Sequence, residues 1–141
     1  MKPPIPVAAT DLAARLRSEI VPELTGFRAN NVAMGSAMID MIAEEFDRAA
    51  ARLFEENEAV RGLLARGAAL VDGMDAPCAP AKLDLRVSAL ETENDRLRAA
   101  LIGLHAGLEA RDDADSRALD GDIWRELAQS VERRRVASAN F

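Results

Sequence analysis

One feature constrains this 141-residue chain more than any other: a strict seam of leucines near its middle. Leu83, Val87, Leu90, Asn94, Leu97, Leu101, Leu104 and Leu108 are spaced alternately by four and three. That spacing puts them on one stripe of a helix, with Leu83, Leu90, Leu97 and Leu104 at d and Val87, Asn94, Leu101 and Leu108 at a. A stripe this regular over more than three heptads needs a facing helix along its length. The spacing predicts a helix over 82–111.

A second stripe precedes it. No proline stands between Phe27 and Ala69, and Phe27, Met34 and Met41 recur every seventh residue. Met38, Ile42, Phe46, Ala49, Leu53, Val60 and Leu64 widen the same face, while Asp40, Glu44, Asp47, Arg48, Arg52, Glu55 and Arg66 form the opposite one. Unbroken, a helix over 27–69 would be ~65 Å long at 1.5 Å per residue. Its weakest point is Glu55-Glu56-Asn57, where the stripe has no large apolar residue and a bend is expected. A shorter helix is expected from Thr10, an N-cap followed by Asp11, through Leu12, Leu16 and Ile20. Pro22 should end it in a turn or kink over 22–26. Gly73, Pro77 and Pro80 mark a loop over 71–81. A last helix, starting near Ser116 or Asp120, carries Leu119, Ile123, Leu127 and Val131. It closes on Arg133-Arg134-Arg135, cations at the negative end of the helix dipole.

Composition sharpens this reading. Of the apolar residues 28 are Ala and 16 are Leu, which favours helix over sheet and leaves large side chains for one core. The expected fold is therefore all-α: an elongated bundle of about four helices with the two long helices packed antiparallel. Residues 1–9, with three prolines, are expected as a flexible tail, and 10–141 as a single helical-bundle domain.

Several function classes fall away. One Cys and one His rule out a zinc module, a disulfide scaffold and a His-rich metal site. A net charge of −6 argues against a duplex nucleic-acid partner. No basic region precedes the seam, so a zipper-type DNA-binding factor is rejected. No window approaches a membrane span and no secretory signal is evident, so a cytoplasmic protein is expected. Glu44, Glu45 and Asp47 suggest a di-iron bundle, but the Glu-x-x-His pairs are missing: the one His is His105, and position 102 is Ile. His105, at an e position, is read as a surface residue beside the seam rather than a titrating switch. Cys78 has no activating neighbour. Gly62, Gly67 and Gly73 form no phosphate loop. No cofactor and no catalytic residue is expected.

What remains is interaction. Asn94 at an a position resembles the buried polar residue that sets register in parallel zippers, so the seam of Leu83, Val87, Leu90, Asn94, Leu97, Leu101 and Leu104 is the candidate interface. The simpler alternative packs it against the Phe27–Leu64 helix of the same chain, and that reading is preferred. Met34, Met38 and Met41 are either adaptable contacts for a partner or acyl ligand, with Trp124, or ordinary core. Core is the preferred reading. The first and last helices are too short to shield both long ones, so oligomerisation is one way to bury what is left.

Two stretches resemble an uncharacterised bacterial all-helical family, often encoded beside acyl-CoA dehydrogenases and aminoglycoside-phosphotransferase-like kinases. The first is Leu16-Arg17-Ser18-Glu19-Ile20-Val21-Pro22-Glu23-Leu24-Thr25-Gly26-Phe27, similar to that family's opening. The second is Val131 to Phe141, similar to its closing helix, with Asn140-Phe141 lacking the intervening proline and basic residue. The resemblance implies an accessory protein in acyl-CoA or related catabolism and supplies no functional residues. The expected function is a non-catalytic accessory or assembly subunit working by protein–protein contact, with a homodimer as one form. The alternative is a binder of an apolar or acyl small molecule in the bundle core.

Overall fold

The computed structural model describes residues 3–78, 80 and 83–139. Four α-helices form: α1 (Ile5–Arg15), α2 (Gly26–Gly67), α3 (Val87–Glu109) and α4 (Ala114–Arg134). Among the described residues there is no strand. The all-α expectation holds.

The chain groups into two compact units, one of residues up to Ala49 with the segment from Arg135, the other Ala50–Arg134. In the first, α1 starts at Ile5 rather than Thr10. Prolines at the start explain the difference: a helix's first turn has no use for their missing N–H, and the Pro4 carbonyl accepts from the Ala8 N–H at 3.1 Å. The described part of the expected tail is thus largely helical. Pro22 acts as expected, with a backbone signature. The Val21 N–H reaches back to the Leu16 carbonyl, closing a π turn over Leu16–Ile20. A 3₁₀ turn (Val21–Glu23) follows, and Leu24 is extended. Gly26, at φ +58°, then opens α2 in a conformation that a side chain disfavours. Small buried residues, Ala13 on α1 and Ser36 and Ala43 on α2, mark the unit's packed side. Arg17, on the π turn, pairs with Asp40 on α2.

The second unit holds the C-terminal part of α2, α3 and α4. Its core is Val60, Leu63, Leu64, Leu97, Leu101, Leu104, Leu108, Leu119 and Ile123. Each such side chain contributes ~1.5–3 kcal/mol on burial. The direction of packing corrects an expectation. Asn57 touches Leu90 and Asn94, Arg61 meets Glu93, Gly67 abuts Leu104 and Val71 abuts Gly107. Residue numbers rise together on both sides, so α2 and α3 run parallel, not antiparallel. Helix α4 is the antiparallel member: Arg98 meets Ser130, and His105 meets Asp120. The parallel pairing works because the connector is longer than the expected loop. It runs from Gly67 to Val87 and has length to return alongside α2.

α3 also starts late, at Val87 rather than Lys82, which lies outside the described residues. The Asp84 carboxylate accepts from the Arg86 backbone N–H at 3.0 Å and from its guanidinium at 2.9 and 3.0 Å. That local bonding competes with a helical turn. Helix α4 begins two residues before the nearer expected start, at Ala114. Asp113 is its cap: its carboxylate accepts from the Ser116 N–H at 2.8 Å and the Ser116 hydroxyl at 2.8 Å. The Ser116 backbone N–H is the largest influence holding Asp113 down to about 2, followed by the Ser116 hydroxyl and Arg111.

Candidate interaction surface and the buried Glu56 cluster

The residues read as the weak point of α2 are the polar centre of the second unit. α2 is continuous through Glu55–Asn57. Glu56 and Asn57 are fully buried and face the equally buried Asn94. The Asn94 amide donates to Asn57 Oδ1 at 2.9 Å, and the Asn57 amide donates to the Leu90 carbonyl at 3.0 Å. Glu56 is the hub. Arg134 donates to its carboxylate at 2.7 and 3.2 Å, the Ser130 hydroxyl at 3.1 Å and Arg98 at 3.4 Å. Arg98 also bonds Asn94 at 3.0 Å and Ser130 at 2.6 Å. One carboxylate thus ties α2, α3 and α4.

Burial opposes the charge on Glu56, but the Arg134 hydrogen bonds and charge, Ser130 and Arg98 outweigh it, so its carboxyl sits below the usual range. A carboxylate held ionised by guanidinium groups is a poor base. Its bonds instead join three helices at one level of the unit. The signal for it was in the sequence: Asn94 on the seam needs a polar partner, and Glu56-Asn57 interrupt the facing stripe.

The candidate interface residues divide. Leu90, Asn94, Leu97, Leu101 and Leu104 are buried within the unit, whereas Val87 is partly open and Leu83 lies outside the helix, exposed. The seam is therefore covered by the chain's own helices from Leu90 onward. Trp124 is exposed and stands edge-to-face with His105, ring centroids 5.3 Å apart. His105 Nε2 lies 2.7 Å from Asp120 Oδ1, which sets the two side chains of α3 and α4 against each other.

The first unit shows the opposite outcome for the methionine stripe. Phe27, Met34, Met38, Ile42 and Phe46 are 78, 57, 55, 63 and 57 % exposed, and Met41 is half-buried. Reading this stripe as core was wrong. The small residues Ser36 and Ala43 take the packed side of α2 instead, since they let a neighbouring helix approach closely. Met34, Met38 and Met41 lie in the first unit and Trp124 in the second, so they do not form a ligand site within either. The exposed side chains of the stripe make the open face of α2 the candidate interaction surface.

Glu44, a candidate metal carboxylate, has another use. It accepts from the Ala137 N–H at 2.9 Å, the Ser138 N–H at 3.1 Å and the Ser138 hydroxyl at 3.0 Å, capping the last 3₁₀ turn (Ala137–Ala139). The Ala137 and Ser138 backbone N–H groups, then the Ser138 hydroxyl and Arg48, lower its carboxyl to about 2 against the opposing effect of burial. Arg48 bonds both Glu44, at 2.6 Å, and the Arg135 carbonyl, at 2.8 Å. Arg133 chelates Glu126 at 2.7 and 3.2 Å, so the terminal basic run is largely spent on internal pairs. Among the described residues, no cluster of three or more His, Cys, Asp or Glu is placed to hold a metal ion. Nor, among them, is any helix long and apolar enough to cross a membrane.

One cleft, of about 440 Å³, lies in the second unit between α2, the start of α3 and the connector. Phe54, Asn57, Arg61, Leu83, Leu90 and Glu93 line it. Its charges are already paired: Arg61 donates to Glu93 at 2.9 Å. Glu93 is held at about 2, chiefly by Arg96 and, against burial, by Arg61.

These observations define a class: an all-α protein with an ionic pin at its buried polar centre and an open apolar helix face. No family model matches the chain, and no curated protein or solved structure matches it.

Proposed function

We propose that this protein is a non-catalytic accessory or assembly subunit that acts by protein–protein contact through the open face of α2. The observation that carries the reading is the exposure of Phe27, Met34, Met38, Ile42 and Phe46 on one helix. Met at the centre suits an adaptable contact, because its flexible thioether conforms to varied partners. The polar groups support the same reading from the other side: the buried carboxylate is spent on joining three helices, and Glu44 on a cap. The resemblance of 16–27 and 131–141 to the bacterial family supports acyl-CoA or related catabolism as the proposed setting.

The test compares native-cell extracts by size exclusion. Wild-type protein is expected to elute well above the 15.2 kDa of one chain, and Ile42→Asp to shift to monomer size with its helical content kept. Identical elution of the two would overturn the reading.

One observation favours a second reading, a binder of an apolar or acyl molecule: the cleft beside Phe54, Leu83 and Leu90 is within the ~300–1,000 Å³ range of small-ligand sites. Calorimetric titration with acyl ligands tests it. Saturable heat that disappears in Leu90→Glu supports binding, and no heat removes it.

A further inference from the structure

The open face on α2 carries a phenylalanine at each end, Phe27 and Phe46, with Gly35 and Met38 equidistant from its midpoint. We infer that it docks a second copy of this chain, the two α2 segments lying antiparallel about a two-fold axis that crosses the open face at the level of the Ser36–Ala37 peptide. This rests on the proposed contact role of the same face and names its occupant. Laid antiparallel with Phe27 of one copy opposite Phe46 of the other, the segments bring Gly35 opposite Met38. Both pairs repeat by symmetry, so Phe27 meets Phe46 at each end, while Met34 lies opposite Ile39 and Ile42 opposite Asn31. Isologous pairing of this kind is the commonest route to a closed dimer.

Gly35 supplies the fit. A Cβ built there would meet nothing within 4 Å, so its surface is a gap on the open side of the helix. A methionine from the facing helix fills such a gap as a knob, and the absence of a side chain lets the backbones approach. The area is adequate. At ~200 Å² for a fully exposed side chain of this size, the five exposures amount to ~600 Å². That is about three-quarters of the ~800 Å² each partner hides in a standard interface. Met41, Gly35 and the flanking atoms supply the remainder.

The test uses purified full-length protein. With Cys78→Ala as background, Gly35→Cys combined with Met38→Cys is oxidised to link copies. Covalent dimer is expected at least tenfold above an Arg125→Cys control, whose site is exposed on α4. Gly35→Leu is the companion variant. Its Cβ meets no neighbour within 4 Å and it replaces the poorest helix former but proline, so its melting temperature should hold or rise. Its sedimentation should fall from the two-chain to the one-chain mass, because leucine occupies the space Met38 needs. Two results would overturn the pairing: a Gly35→Leu protein that still sediments as two chains, or a cross-link yield no higher than the control. A third outcome separates this inference from the reading beneath it. If purified wild-type protein is monomeric while its native-extract complex is lost in Ile42→Asp, self-pairing fails and contact with a different protein stands.

Discussion

Glu56 has no exposed surface, yet it carries a charge shared among Arg134, Arg98 and Ser130. Removing one partner of a buried ion pair leaves the others without compensation, which typically costs ~3–5 kcal/mol. Here the Arg134 and Arg98 side chains are 45 and 33 % exposed and regain some water, so the lower end applies. Glu56→Ala is therefore expected to lose about 3 kcal/mol in urea unfolding; a loss below about 0.5 kcal/mol would remove the carboxylate from its central place. The acid response follows from the same groups. Glu44 and Glu93 sit at about 2, below their ordinary 4.5, and Glu56 is lowered too. A carboxylate depressed in the folded state adds stability above its unfolded pKa, and that stability is lost as pH falls through the folded value. The urea midpoint should thus be flat from about pH 7 to about pH 5.5 and decline toward about pH 2. Glu93→Gln should start lower and decline less steeply; an unchanged slope would show that Glu93 is not among the groups responsible.

At the scale of elements, periodicity located the long helices well but not their ends or directions. Leu83 and Val87 match the heptad, yet the bonds between Asp84 and Arg86 keep Leu83 out of the helix. Heptad spacing contains no term for such a local competitor. The parallel pairing of α2 and α3 was also beyond reach, because a long connector permits either direction and spacing does not record which contacts, Asn57 with Asn94 and Gly67 with Leu104, run in step. Prolines misled at α1, where they start a helix rather than prevent it. Glycines in similar helical settings separate clearly. A Cβ at Gly103 meets nothing, whereas at Gly67 it would fall 2.9 Å from Leu104 Cγ and closer still to its methyl groups. Gly103→Ala should gain up to ~1 kcal/mol through helix propensity. Gly67→Ala should lose ~1–3 kcal/mol by displacing the fully buried Leu104. Thermal unfolding of the two variants checks this, and equal shifts would contradict the close approach of α2 and α3.

Across the whole molecule, the two units use the same residue classes in opposite ways. In the second, leucines are covered and the polar centre is enclosed. In the first, the packed side is built from Ala13, Ser36 and Ala43, and the bulky residues of α2 are left open. The amphipathic pattern was legible in both, since a stripe at helical spacing shows which residues share a face. Which stripe finds cover within the chain was not legible, because periodicity does not record what lies opposite. The central claim is that another polypeptide covers Met34 and Met38 at working concentration. Peroxide oxidation of the two residues, resolved by peptide mass across a dilution series of the purified protein and in native extract, tests it most directly. The account predicts strong protection in concentrated or native samples that is lost on dilution. Oxidation at the rate of free methionine under every condition would contradict it.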